Sequence, residues 1–296
     1  MELLYKYQNG NVLVSIFDDG TKIQEWPDDE APAPIYPNSM DVKITNKCNL
    51  GCKFCHEMSV PDGKHADLSD LLEILEDLPA GTELALGGGN PLEHPWLKSF
   101  LMVCQDWEFI PNLTVNGKHV EKYADLLNTL IDERLIYGLG VSIEDDFDFA
   151  IMDKIHNVSN VVYHVIAGVN DYTILDKIKD RMGKVLVLGY KDVGRGITNH
   201  SELTDVLQSE WFGHIKLYIH RLHMSFDNLA VKQLDIKSYL SPEEWDEFYM
   251  GTDGQFTMYI DAVSQEFAVS STSVTRYPLK GTIEEIFSKV QSEPKN

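Results

Sequence analysis

From residue 39 to residue 190 the chain alternates between short apolar runs and amphipathic stretches, and this alternation narrows the fold more than any other feature. Runs rich in aliphatic and β-branched residues stand at 40–44, 83–86, 112–115, 135–143, 161–166 and 184–188. Segments of helical character separate them, at 67–78, 95–107, 119–131, 147–155 and 172–182. In the first of these, Leu68, Leu71, Leu72, Leu75 and Leu78 recur at helical spacing. Strands joined through helices do not form hairpins; they pair in parallel through right-handed crossovers. Six such units predict an α/β fold, a parallel sheet curved into a partial (β/α)6 barrel with helices outside. In barrels of this kind chemistry collects at the C-terminal ends of the strands, so the strand endings are where function is to be read.

The first ending is the richest. Strand 40–44 runs into Thr45-Asn46-Lys47-Cys48-Asn49-Leu50-Gly51-Cys52-Lys53-Phe54-Cys55-His56, which holds three of the four cysteines in the chain. Thiolates at this density point to a metal centre. Two other readings of the same residues stand beside it. Positions i, i+4 and i+7 also make a helical stripe, so the cysteines fit a buried helix face, although Asn49 and Gly51 weaken that helix. A zinc site would take His56 as its fourth ligand, although adjacent Cys55 and His56 are poorly placed around one tetrahedral ion. Cys104 falls inside the helix after the second strand and reads as core packing. Four cysteines are too few for a second all-thiolate cluster and do not make a disulfide framework.

The spacing Cys-x3-Cys-x2-Cys, with Phe54 before the third cysteine, resembles the signature of the radical S-adenosylmethionine enzymes. The likeness continues along the other strand endings. It implies that Cys48, Cys52 and Cys55 ligate three irons of a [4Fe–4S] cluster, with S-adenosyl-L-methionine chelating the fourth. Reductive cleavage of that cofactor then gives a 5′-deoxyadenosyl radical that abstracts hydrogen. Gly51 would let the loop wrap tightly, and Phe54 would shield the cluster. Gly87-Gly88-Gly89-Asn90-Pro91 resembles the family's Gly-Gly-Glu-Pro motif, whose backbone meets the amino group of the cofactor; Asn90 replaces the glutamate. Thr114-Val115-Asn116-Gly117 resembles a recurrent Thr-Asn-Gly ending with one residue inserted. Ser142 and Glu144 match positions that bind the ribose hydroxyls, residues 166–169, headed by Ile166, an adenine shelf, and Leu188-Gly189-Tyr190 closes the set. Tyr190, Lys191 and Arg195 are candidates for substrate contact, with Gly194 and Gly196 equally consistent with a plain turn. His220 and His223 read as structural.

The flanks predict three parts: a β appendage with a proline-rich linker over 1–38, the barrel over 39–222 and an α+β extension over 223–296. In the first part 11–17 reads as a strand and 21–23 as the start of a return strand, an edge-covering hairpin or lid. In the last part 214–220 reads as a final strand, 255–261 and 266–270 as a hairpin, and Ser241 and Thr282 as helix caps. This extension resembles the SPASM or twitch region of peptide-modifying relatives, but Ser270 and Ser271 stand in the hairpin region and it holds no cysteine. An unrelated cap over the barrel is the alternative.

Forty-seven acids against 25 bases give a formal charge of −22. That field disfavours nucleic acid and leaves a basic peptide as one admissible partner. No apolar run approaches the roughly 18 residues of a membrane span. The opening residues carry an acid and soon turn polar, unlike a signal peptide, so the expected location is the cytoplasm. Lys43, Lys47 and Lys53 surround the cysteine loop as a docking surface for an acidic flavodoxin or ferredoxin. The resemblance thus implies a radical enzyme acting on a peptide or protein side chain. A small metabolite or nucleotide precursor is the alternative substrate. An iron–sulfur or zinc protein for electron transfer or interaction is the non-enzymatic alternative.

Overall fold

The computed structural model describes residues 2–156, 160–181 and 183–294. It opens with β1 (Leu3–Asn9), β2 (Val12–Phe17) and β3 (Lys22–Glu25), an antiparallel sheet in the order β1-β2-β3. The barrel follows with β4 (Ser39–Thr45), β5 (Glu83–Gly88), β6 (Ile110–Asn116), β7 (Gly138–Ser142), β8 (Asn160–Ala167) and β9 (Lys184–Gly189). The last third adds β10 (His223–Phe226), β11 (Thr257–Asp261), β12 (Glu266–Ala268) and β13 (Tyr277–Pro278). These ten form one sheet in the order β10-β9-β8-β7-β6-β5-β4-β11-β12-β13. The strands from β10 through β11 pair in parallel, and β12 and β13 are antiparallel.

Side-chain alternation divides the strands into two faces. Leu84, Leu86, Leu113, Leu139, Val141, Val165 and Val187 pack in one core with Leu71, Leu75, Phe100, Leu101, Leu127 and Ile178 from the helices. The intervening Ala85, Gly87, Thr114, Asn116, Ser142, His164, Ile166, Leu186 and Leu188 border a single cavity of about 360 Å3, which Asp41 and Tyr259 also line. Laid flat, the strands from β9 to β11 would stretch over roughly 30 Å at the usual inter-strand spacing. One small cavity touching all of them requires the sheet to wrap around it.

The N-terminal sheet is neither a lid over the cysteine loop nor a simple hairpin. Val12, Val14 and Ile16 pack with Ile110 and Phe256, and Tyr5, Tyr7 and Tyr137 pack against them. Lys22 pairs with Glu83, and Lys184 donates to the carbonyl oxygen of Asp19. Glu83, Ile110 and Lys184 are the first residues of their strands, so this sheet closes the floor of the barrel, opposite the cysteines. Its first strand escapes sequence reading because its residues are mostly partly exposed and lack a clean apolar alternation.

Several expected elements are corrected. Residues 214–220 are not a strand: the helix Glu202–His214 passes into a 3-10 turn at Ile215–Leu217, burying Trp211 and Ile215. The strand lies just beyond, at β10. The expected helix over 119–131 is two, Gly117–Val120 and Ala124–Asp132, and the one over 147–155 is a 3-10 segment, Phe149–Lys154. The helix expected over 172–182 spans Ile174–Asp180, and Met182 lies outside the described residues. The expected boundary at 222/223 falls between neighbouring elements of one sheet. Met258, Ile260, Phe267, Ile283 and Phe287 share the core of the barrel helices. Among the described residues no helix is long and apolar enough to cross a membrane.

Candidate active site

The cysteine loop leaves β4 and is tied down on both sides. On its own side, Asn46 N donates to Lys64 O at 2.8 Å, Cys48 N to Val60 O at 2.9 Å and Val60 N to Asn46 O at 3.0 Å. Across the barrel mouth, the loop after β9 supplies Arg195. Its backbone N donates to Cys55 O at 3.1 Å, its Nε to Cys52 O at 2.9 Å and its Nη1 to Ser59 O at 3.1 Å. Gly194, at φ +57°, allows that approach: a Cβ there would lie 2.4 Å from the carbonyl oxygen of His56.

Cys48, Cys52 and Cys55 are half-buried, lie outside any helix and all border the cavity, so they are not a core stripe. Cys104 is fully buried among the helices. Burial pushes the Cys48 and Cys52 thiols up, and the neighbouring cysteines add to the effect. Free thiolates are therefore disfavoured here unless a metal holds them. His56 does not serve as a fourth ligand. Its Nε2 lies 3.3 Å from Glu57 Oε1 and 3.5 Å from Lys191 Nζ. Among the described residues, no three His, Cys, Asp or Glu side chains gather as ligands of a single ion. Three thiols on a loop, open to one cavity and without a fourth protein donor, fit a cluster that spreads its ligands over separate irons and leaves one position free.

The glycine run after β5 is pressed against this loop. Gly89 N donates to Thr45 O and Asn90 N to Lys47 O, both at 2.7 Å. A Cβ on Gly88 or Gly89 would come within 2.4 Å of Thr45 O or 2.3 Å of Lys47 O. Gly87, Gly88 and Gly89 border the cavity, as do Phe54, Asn116, Ser142, Ile166 and Leu188. Two of the expected cofactor contacts are turned elsewhere. Asn90 is buried, its Oδ1 accepts from Leu92 N at 3.3 Å, and its Nδ2 has no hydrogen-bond partner. Glu144 is absent from the cavity wall and pairs with Lys118 Nζ at 2.6 Å.

Of the residues expected to meet substrate, Tyr190 and Lys191 border the cavity. The Tyr190 hydroxyl donates to Gly196 O at 2.9 Å, and Lys191 Nζ donates to Ser271 Oγ at 2.9 Å. Arg195 clamps the cysteine loop instead. His220 and His223 are exposed.

Sequence reasoning passed over a polar set on the same cavity wall: Asp41, Glu57, His164, Asp227 and Tyr259. Lys43 Nζ lies 2.8 Å from Glu57 and 3.1 Å from Asp261, and Tyr259 donates to Glu57 Oε1 at 2.9 Å. Burial opposes the charge of Glu57, but His56 and Lys43 beside it hold its carboxyl well below the usual range. Lys43 is thus an interior ion-pair residue and not part of a docking surface. For Asp41 and Lys43 the available signal was parity, since in strand 40–44 they fall on the face opposite Met40, Val42 and Ile44; His164 shares its face with Val162 and Ile166 and carries no such signal.

A model of the Radical SAM superfamily matches residues 42–185. The chain is 26% identical over 165 residues to a GTP 3′,8-cyclase of Alkaliphilus oremlandii, covering 52% of this chain and 49% of that one. It spans half or less of the length of the curated relatives it matches. Its fold is similar to that of SuiB from Streptococcus suis, solved with the precursor peptide SuiA, with a TM-score of 0.59 at 13% identity over 88% of this chain and 68% of that one. It is also similar to anSMEcpe, solved with AdoMet and a Cp18Cys peptide, with a TM-score of 0.51 at 13% identity over 86% of this chain and 80% of that one. The matched span opens in β4, just ahead of the cysteines, and closes in β9, so it embraces the cavity wall from β4 to β9. Over residues 42–185 the chain matches the radical S-adenosylmethionine superfamily, whose cofactors are a [4Fe–4S] cluster and S-adenosylmethionine.

Proposed function

We propose that this chain is an enzyme that abstracts a hydrogen atom from a peptide or protein side chain. The observation that carries the radical chemistry is the three-thiol loop opening onto a cavity ringed by strand ends. When bound, the cluster and S-adenosylmethionine supply a 5′-deoxyadenosyl radical. Cys48, Cys52 and Cys55 hold the cluster, and Arg195 fixes the loop that carries them. The backbone of Gly87, Gly88 and Gly89 would orient the methionine end of the cofactor, and side chains have no room at Gly88 and Gly89. Asn116 and Ser142 would meet its ribose, and Ile166 and Leu188 its adenine. Phe54 keeps water from the cluster side of the cavity. Glu144, held by Lys118 at the rim, reaches the ribose only if that ion pair opens.

The peptide reading draws on the C-terminal third. β11 joins the barrel beside β4 and brings Tyr259 into the cavity wall, with Ser271 beyond β12. We read this region as a SPASM-like scaffold without cluster cysteines, and the likeness to SuiB and anSMEcpe runs through most of the chain. Lys53, exposed on the cysteine loop, and Lys47 offer a flavodoxin or ferredoxin an approach to the cluster. A second reading, a nucleotide or other small substrate, is favoured by the sequence identity to GTP 3′,8-cyclases.

Deuterated cell extract, divided into peptide and small-metabolite fractions, separates the two. The reduced, cluster-loaded protein is given each fraction with unlabelled S-adenosylmethionine. Deuterium in the released 5′-deoxyadenosine is expected with the peptide fraction. Deuterium only with the metabolite fraction would overturn the peptide reading.

A further inference from the structure

Asp41 and His164 face each other's side of the barrel lumen, deeper than the residues assigned to the cofactor. His164 lies one lumen-facing position below Ile166 on β8, and Asp41 one below Lys43 on β4. Both border the cavity. Small residues open the lumen around them: Ala85 lines the cavity beside Asp41 in register, and Gly140 lies under the His164 ring. A Cβ on Gly140 would come 2.5 Å from His164 Cε1 and 3.3 Å from Thr114 Oγ1, so the imidazole occupies a seat that only glycine leaves free.

Most charged side chains of this region have a close hydrogen-bonding partner, Lys191 through the uncharged Ser271 hydroxyl. Glu57 and Asp261 share Lys43. Asp227 accepts from Gly189 N at 2.9 Å and Ala230 N at 2.7 Å. No hydrogen bond or ion pair of Asp41 exists among the described residues, and none of the His164 ring. Asp41 is solvent-accessible and borders the cavity. A carboxylate that lines a cavity without a close partner is open to a ligand that brings one. Lys191 acts on it only from a distance, and Asp227, Asp253 and Glu57 add negative potential. Burial brings the His164 ring down to about 4, so it stands neutral on the same cavity wall and does not supply a cation for Asp41.

We propose that Asp41 and His164 form a substrate subsite for a cationic nitrogen group, an ammonium or guanidinium on an alkyl arm. Asp41 accepts the charged N–H, and His164 takes or gives a hydrogen bond without adding charge. Carboxylate substrates are repelled by the same set. The subsite rests on the radical reading and names the chemistry of the side chain that it positions.

The test is equilibrium binding of n-pentylammonium, n-pentylguanidinium, pentan-1-ol and pentanoate to the cluster-loaded protein, read by calorimetry. The cations are expected to bind about tenfold more tightly than the alcohol, the discrimination of one hydrogen bond to a charged group, with pentanoate weakest. Asp41→Asn is expected to bring the cations to the affinity of the alcohol. Equal binding of cation and alcohol to the unaltered protein would overturn the subsite, as would an unchanged cation preference in Asp41→Asn. The preference in the unaltered protein needs no variant, so it decides the matter even if Asp41→Asn fails to fold. Release of 5′-deoxyadenosine without cation preference would sink the subsite alone and leave the radical reading standing.

Discussion

Arg195 Nε donates to the carbonyl oxygen of Cys52 at 2.9 Å, joining the loop after β9 to the middle of the cysteine loop after β4. The two loops stand 143 residues apart in sequence, yet they form one rim over the cavity. Arg195→Ala removes this bond and the one to Ser59 while leaving the three thiols in place. Iron is expected to pass to a chelator about tenfold faster, the equivalent of roughly 1.5 kcal/mol for a lost charge-assisted bond. Arg195→Lys should recover part of the difference. Absorbance of the cluster followed against chelator decides it; an unchanged rate would mean that the clamp does not hold the loop.

Gly51 and Gly194 both take left-handed backbone, at φ +63° and φ +57°, but only one is crowded. Nothing lies within 4 Å of a Cβ on Gly51, whereas on Gly194 it would meet His56 O at 2.4 Å. Gly51→Ala should therefore cost only about 1 kcal/mol and keep its iron. Gly194→Ala must push the rim loops apart and should lose most of its iron at reconstitution. Iron content per chain, measured side by side, checks the contrast.

Lys43 neutralises two carboxylates in the interior. Lys43→Met leaves Glu57 and Asp261 facing each other without their ammonium, and a loss of about 3 kcal/mol of stability is expected. Urea midpoints of the variant and the unaltered protein provide the comparison. A loss below about 0.5 kcal/mol, the level of exposed pairs, would contradict the interior placement of Lys43.

His164 makes stability depend on pH. Its folded-state value, about 4, lies below the ordinary 6.5, because burial and then the charge of Lys191 oppose protonation. The unfolded chain thus binds more protons between those values, and stability rises with pH across that window. The contribution is complete above pH 6.5 and is lost as pH falls toward 4. Its full swing is about 3 kcal/mol. Urea midpoints at pH 5 and pH 7 should differ more for the unaltered protein than for His164→Asn. Equal pH dependence in the two would place His164 in solvent.

The barrel was legible because its strands alternate with helices of clear period, and because the cysteines directly follow the first strand. The parallel register then follows from short connections and helix covering. Less legible was anything decided by distant packing. The floor sheet depends on Val12, Val14 and Ile16 meeting Ile110 and Phe256, a contact that no local pattern announces. Residues 214–220 carry alternating apolar residues, yet Trp211 and Ile215 bury together and draw the segment into the preceding helix. In the site, the cysteines and glycines declare themselves by spacing. Asp41 and His164 do not, since a single polar residue in an apolar strand gains meaning only when the sheet curls and turns that face inward. Lys43 misled for the same reason: beside the cysteines in sequence, it points into the lumen.

Anaerobic reconstitution followed by single-turnover reduction with S-adenosylmethionine decides between a radical enzyme and any other use of the three cysteines. The expected result is about four irons per chain, 5′-deoxyadenosine released upon reduction, and loss of both in Cys52→Ala. A colourless protein holding one zinc, or a four-iron protein that leaves S-adenosylmethionine intact under reduction, would contradict it.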